Sequence, residues 1–348
     1  AGSTRCIEDP IRYSSRLLGG NRSPRAIGAW SAAGMAVVVA VSGLGLVVAD
    51  SNRTASVQRT AAVVAEAPQC LGGMAVVNAD RCTGVIPADV IVPDPAQAAT
   101  DTWNRSDCWA AVDVPDLHLC TLGLRDAPVR LMAIGDSHSN VLLAAYEALA
   151  EQNGWRIDVA GHNGCYWTTV IQQKRVQAQT DGCEGWKRNL NAYLDAAAPY
   201  DAILVTNARD GAAAIVPAGV DVIKATAQGL ASAWSPQITR GTRIIAIRDN
   251  PAMRPDVVTC VARFGLAANA HCALPASQAL GGRDALVEAV RLDPGARLID
   301  MTDIYCPASV CLPIIGHVVV FQDKDHMTAT FVRTLVPALS DRIKAALR

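Results

Sequence analysis

Charge of one sign is what this chain lacks most plainly: 31 basic and 32 acidic side chains over 348 residues leave a formal net charge of −1. No basic field exists to draw a polyanion, which argues against nucleic acid as a partner. Glycine-rich nucleotide signatures are missing as well. With neither Walker-type nor Rossmann-type spacing, no nucleotide cofactor is implied. Zinc-finger spacing is also missing, because the eleven cysteines include no CxxC pair and no histidine stands at a finger-like distance. Zinc is the competing reading for so many cysteines, and the spacing favours disulfides.

What is present is unevenly distributed. Residues 26–49 carry no charged side chain. As a helix, 24 such residues extend about 36 Å, enough to cross a hydrocarbon core of about 30 Å with some tilt. A cleaved signal peptide is the rival reading. Its apolar core is shorter and nearer the N-terminus, and no A-x-A-like site follows here. Arg5, Arg12, Arg16, Arg22 and Arg25 precede the segment, whereas Arg53 and Arg59 alone follow closely. The positive-inside rule therefore places residues 1–25 in the cytoplasm and everything after residue 49 outside. Cysteine usage agrees: Cys6 precedes the segment and the other ten follow it. An even set on one side reads as disulfides in an oxidising compartment. Pairing of neighbours, the simplest arrangement, predicts Cys70–Cys82, Cys108–Cys120, Cys165–Cys183, Cys260–Cys272 and Cys306–Cys311, with Cys6 free.

Residues 50–127, rich in Ala, Val, Pro and Asp, read as a linker followed by a disulfide-stapled extension. From Pro128 to the C-terminus the pattern becomes strand, helix, strand. Strands are expected at 129–134, 155–160, 201–206, 243–247 and 297–301. Helices are expected at 139–152, 184–198, 220–234, 283–290 and 328–347. Regular alternation of this kind predicts an α/β domain with a parallel sheet covered on both faces. Active sites of such sheets lie at the carboxyl ends of the strands.

Two short motifs carry the chemistry. Gly135-Asp136-Ser137-His138-Ser139 directly follows the first strand. A serine in that turn exposes its hydroxyl at the sheet edge, with its own N–H near a helix N-terminus, which suits a nucleophile. The plain alternative is a helix N-cap. Near the other end stands Asp323-Lys324-Asp325-His326. A histidine takes the serine proton, and a carboxylate fixes the ring tautomer. Asp323, three residues back, can turn to meet the ring, while the adjacent Asp325 is expected to point elsewhere. The remaining histidines, His118, His162, His271 and His317, have no ligand-like partners in the sequence and read as structural. No metal site is expected.

These motifs resemble blocks I and V of SGNH hydrolases. The likeness narrows to the SGNH domains fused to acyltransferase family 3 membrane proteins. It extends to Gly164-Cys165 after the second strand, to Asp249-Asn250-Pro251, and to Ile7-Glu8-Asp9-Pro10-Ile11-Arg12, which is similar to the segment closing the acyltransferase bundle. The resemblance implies an SGNH-hydrolase-like, flavodoxin-like domain over residues 128–348, behind one transmembrane helix and the extension. It implies that residues 1–25 end a membrane domain missing from this chain. It also implies an oxyanion hole from the Ser137 amide, a block II glycine and a block III asparagine. Block II is either Gly161 or Gly164, and Gly164 is preferred for its cysteine neighbour. Block III departs from the family pattern: Val205 stands for the glycine, but Asn207 keeps its place, with Arg209 nearby. The implied activity is O-acyl transfer, an O-acetyl group above all, to hydroxyls of an extracytoplasmic glycan at a bacterial cell membrane. His326 deprotonates Ser137 or activates the acceptor hydroxyl directly. This part binds no cofactor, acyl-CoA is the ultimate donor, and the membrane domain and the glycan are the partners. An esterase acting on envelope polysaccharide and a non-catalytic glycan-binding module are the alternatives.

Overall fold

The computed structural model describes residues 32–48, 51, 65–209 and 214–348. The chain divides into two units, Ala1–Ala62 and Val63–Arg348. In the first, residues 32–48 are helical with exposed side chains. Among the described residues no helix is long and apolar enough to cross a membrane. Residues 26–31 and 49 of the expected span, the preceding arginines and Cys6 lie outside the described residues.

The second unit is built on one sheet. Its strands are β1 (Trp109–Ala110), β2 (Cys120–Gly123), β3 (Arg130–Gly135), β4 (Arg156–His162), β5 (Ala202–Thr206) and β6 (Arg243–Ile247). After β7 (Leu274–Pro275), which pairs elsewhere, β8 (Ala296–Ile299) completes it. The order is β1-β4-β3-β5-β6-β8, parallel throughout, with β2 added antiparallel to β4. This is the doubly wound sheet expected from the alternating pattern. Strands 109–110 and 120–123 come from the expected extension, so that segment is built into the sheet.

The central strands β3, β5 and β6 are apolar on both sides because both faces are covered. Leu131, Ala133, Ile157, Val159, Leu204 and Ile245 face one core. Their alternates Met132, Ile134, Ala160, Ile203, Val205 and Ile244 face the other, as the two-residue period of a strand requires. Over the first face pack α1 (Ser137–Val141), α2 (Leu143–Asn153) and two later helices described below. Over the second pack α3 (Gln177–Ala196), α4 (Val222–Thr239) and α5 (Ala285–Leu292), through Trp186, Leu190, Trp234 and Leu286. Each such side chain contributes roughly 1.5–3 kcal/mol on full burial. The last expected helix is two, α6 (Ala329–Thr334) and α7 (Val336–Ala346). Pro337, in the first turn of α7, supplies no N–H to continue α6.

All five neighbour pairings of cysteine are bridged. Cys165–Cys183 closes 18 residues and ties the turn after β4 to α3. Replacing both cysteines by serine is expected to lower stability by about 2–4 kcal/mol. The urea midpoint of the variant measures this, and a midpoint equal to the parent's contradicts it.

Candidate active site

The carboxyl edge of the sheet gathers side chains from four strand ends. Where β3 runs into α1, Asp136 is the N-cap, and its carboxylate accepts the N–H of His138 at 3.0 Å and of Ala208 at 3.1 Å. One aspartate thus starts the helix and binds the turn to the segment after β5. Ser137 is the first helical residue, so its N–H is one the helix itself cannot satisfy.

His326 arrives on a short loop. A bridge between Phe321 and Met327 closes it, and Asp323 shapes it from within by accepting the N–H groups of Asp325 at 2.9 Å and His326 at 2.7 Å. The same carboxylate accepts His326 Nδ1–H at 2.8 Å. With that nitrogen a donor, Nε2 is the acceptor for the Ser137 hydroxyl, 2.9 Å away although 189 residues distant in sequence. Asp325 approaches His326 Nδ1 only to 3.4 Å and pairs with Lys324 at 3.0 Å. Burial raises the proton affinity of Asp323, but its bonds from the His326 ring and from the two amides outweigh that and hold its carboxyl well below the usual range.

The two candidate block II glycines have different surroundings. Gly161 lies within β4 under the Trp109 ring, where a Cβ would stand 2.1 Å from ring carbons. Gly164 has φ +66° and lines the cleft beside Ser137. The Lys174 ammonium donates to its carbonyl, and Cys165 anchors the next position. Burial lowers the pKa of Lys174, against the pull of Asp136. Asn207 is 3% exposed at the end of β5, and among the described residues neither its amide nitrogen nor its oxygen has a partner. Its neighbour Ala208 lines the cleft. The Arg209 guanidinium is engaged by the Leu280 carbonyl at 2.6 Å.

Two clefts meet at Ser137, Asp323 and His326. One, about 430 Å³, is walled by Asn104, Trp109, Asn140 and Asn163, with Trp109 Nε1–H donating to Asn163 at 2.7 Å. The other, about 710 Å³, is walled by Gly164, Tyr166, Lys174, Arg175 and Asp325. Trp109, Asn163 and Lys174 escape a reading of motifs, because only the fold brings them to Ser137. The cysteine beside Trp109 was the one local signal.

Among the described residues two groupings have metal-ligand spacing. In Asp107, Cys108 and Cys120 both sulfurs are bridged. In His138, Asp325 and His326 both His326 nitrogens and His138 Nδ1 already have partners. Neither donor set suits a resident ion.

The family model of the SGNH domain fused to AT3 domains matches residues 104–341. A comparison with curated proteins returns no match. Among solved structures, the periplasmic domain of the Salmonella ser. Paratyphi A lipopolysaccharide acetyltransferase superposes with TM-score 0.50 at 15% identity, covering 73% of this chain and 98% of that one. A carbohydrate acetylesterase family member from Sinorhizobium meliloti superposes with TM-score 0.35 at 14% identity, covering 63% and 99%. The first of these likenesses shows the fold.

Proposed function

We propose that this chain, which belongs to the family of SGNH domains fused to AT3 domains, is an O-acyltransferase that passes an acyl group through Ser137 to a glycan hydroxyl outside the cytoplasm. The observation that carries the reading is the unbroken series from Ser137 Oγ through His326 to Asp323 at an open cleft. His326 Nε2 takes the Ser137 proton as Oγ attacks the acyl carbonyl. The carbonyl oxygen gains the negative charge; the groups offered to receive it are the N–H groups of Ser137 and Gly164 and the Asn207 amide, which has no partner among the described residues. Collapse expels the donor's leaving group, which takes the proton from His326 and leaves acyl-Ser137. A sugar hydroxyl then gives its proton to His326 and attacks the ester; Ser137 Oγ leaves and takes that proton back from His326 Nε2, restoring the resting site. In a variant of the scheme, His326 activates the acceptor hydroxyl directly.

The cleft walled by Asn104, Asn140, Asn163 and the largely buried Trp109 supports a carbohydrate acceptor, since neutral amides match a sugar's hydroxyls. In this reading residues 1–25 end an AT3 membrane domain, 26–49 span the membrane, and the chain after them leads into a catalytic domain whose sheet already includes residues 109–123. The membrane partner delivers the acyl group from cytoplasmic acyl-CoA. Esterase activity is the second reading, favoured by one observation: Asp323 is about half exposed and His326 a quarter, so water reaches the acyl-enzyme whenever no acceptor occupies the cleft.

The test is partitioning. With p-nitrophenyl acetate as donor, a panel of neutral oligosaccharides is expected to divert acetate into acetylated sugar, detected by mass spectrometry. Release of free acetate alone, at a rate no oligosaccharide alters, would overturn transfer in favour of hydrolysis.

A further inference from the structure

Behind Ser137 and His326 lies a second histidine–carboxylate pair that the steps above leave unused. His138 Nδ1 donates to Asp249 across 2.6 Å, with the two side chains only 4% and 6% exposed. The His138 ring centre is 4.7 Å from that of His326, with the planes inclined by 44°. The Asp249 carboxylate also accepts the N–H of Asn250 at 2.8 Å and of Arg209 at 2.9 Å, so it joins the ends of β6 and β5. The segment it begins then grips the loop that carries His326. The Asn250 side chain donates to the Asp325 carbonyl at 2.7 Å, and the Met253 N–H to the Lys324 carbonyl at 2.6 Å.

We propose that the buried His138–Asp249 pair is a positioning element that sets the orientation of the His326 ring and docks the loop bearing it. His138 supplies the surface against which the ring rests, and Asp249 fixes both His138 and the residues that hold the loop. Nothing in the local chain could do this, since His138 and Asp249 are 111 residues apart. Charge is part of the device. Burial disfavours an imidazolium at His138, but Asp249, with Asp136 and Asp325 beyond it, outweighs that and raises its pKa to about 10. A neutral ring there would leave Asp249 as a buried carboxylate without its cation, a costly state. The charged and titratable groups facing the pair are Asp136 after β3, Arg209 after β5, Tyr305, and Asp325 and His326 of the loop; Lys174 faces Asp136. Because the folded-state pKa is raised, this stabilisation is complete below the ordinary value of 6.5. It declines above that value and is lost as pH passes about 10.

Only the kinetic consequence rests on the acyl-transfer reading, so the experiment pairs spectroscopy with turnover. The full chain, in detergent micelles, is labelled isotopically at its six histidines and titrated by NMR. The His138 ring is expected to remain an imidazolium at neutral pH and to titrate near pH 10. In Asp249→Asn it should titrate far lower, because burial then disfavours the imidazolium without its main counter-charge. His138→Gln and Asp249→Asn should both displace the His326 ring signals, including the proton shared with Asp323. They should lower kcat by about 10–100-fold with KM within about twofold, as expected when a reacting group is misaligned and substrate binding is untouched. A neutral His138 at pH 7 in the parent protein overturns the proposal. Unchanged His326 signals and kcat in a folded variant do the same. If His138→Gln fails to fold, the parent titration and Asp249→Asn still decide. Displaced His326 signals in a protein whose parent turns over no ester would sink the acyl-transfer reading and leave the positioning role standing.

Discussion

Changing Ser137 to alanine is expected to lower turnover of p-nitrophenyl acetate by at least about 10³-fold and to abolish labelling by a fluorophosphonate. The Ser137 hydroxyl is the group bonded to His326 Nε2, and alanine leaves the ring with no nucleophile to activate. The fold should survive. The helix cap belongs to Asp136, and alanine is at home in a first helical turn. An unchanged circular dichroism spectrum together with lost labelling is the expected pair of results. Labelling of the alanine variant at the parent rate would remove Ser137 from the mechanism.

The two aspartates beside His326 should behave differently. Asp323→Asn keeps the shape but removes the charge that holds Nδ1–H and stabilises the imidazolium formed in each half-reaction, so kcat should fall by about 10²–10⁴-fold. Asp325→Asn removes a carboxylate whose closest approach to the ring is 3.4 Å, against 2.8 Å for Asp323, and should cost less than about tenfold. Equal losses would mean that the carboxylates share the role. The pH dependence has a definite sign. The Asp323 carboxyl is depressed in the folded protein, so its contribution to stability is present above the ordinary aspartate range. That contribution disappears as pH falls through the lower folded value. Support for the His326 ring should therefore persist into acid in which a free aspartate is already protonated.

The Ser137–His326–Asp323 set was legible because its side chains sit in two short motifs of an alternating pattern. That pattern identified the five long parallel strands, since residues buried on both faces leave uninterrupted apolar runs such as Leu131–Gly135. Helix ends were harder to read. The start of α3 at Gln177 was masked by Gly182, which disfavours helix locally but lies against the Asp113 backbone, where a Cβ would come within 2.6 Å. The end of α4 at Thr239 was masked by Pro236, which the helix accommodates internally. Strands β1 and β2 are short and polar-flanked, and only pairing with β4 makes them strands. The supports of the site were hidden for the same reason. The Asp249–His138 bond, the Lys174 bond to the Gly164 carbonyl and the position of Trp109 over Gly161 all join distant segments, and no periodicity encodes them. Block II, open between two glycines in the sequence, differs in the structure because one glycine is roofed by a tryptophan and the other faces Ser137.

The measurement that tests the account most directly is capture of the acyl-enzyme. The chain is mixed with p-nitrophenyl acetate, quenched in acid during turnover, digested and mapped by mass spectrometry. The account predicts one acetyl group on the peptide containing Ser137, lost when an acceptor oligosaccharide is added before the quench. Acetyl on another residue, or sustained turnover with the Ser137 peptide unmodified throughout, would contradict it.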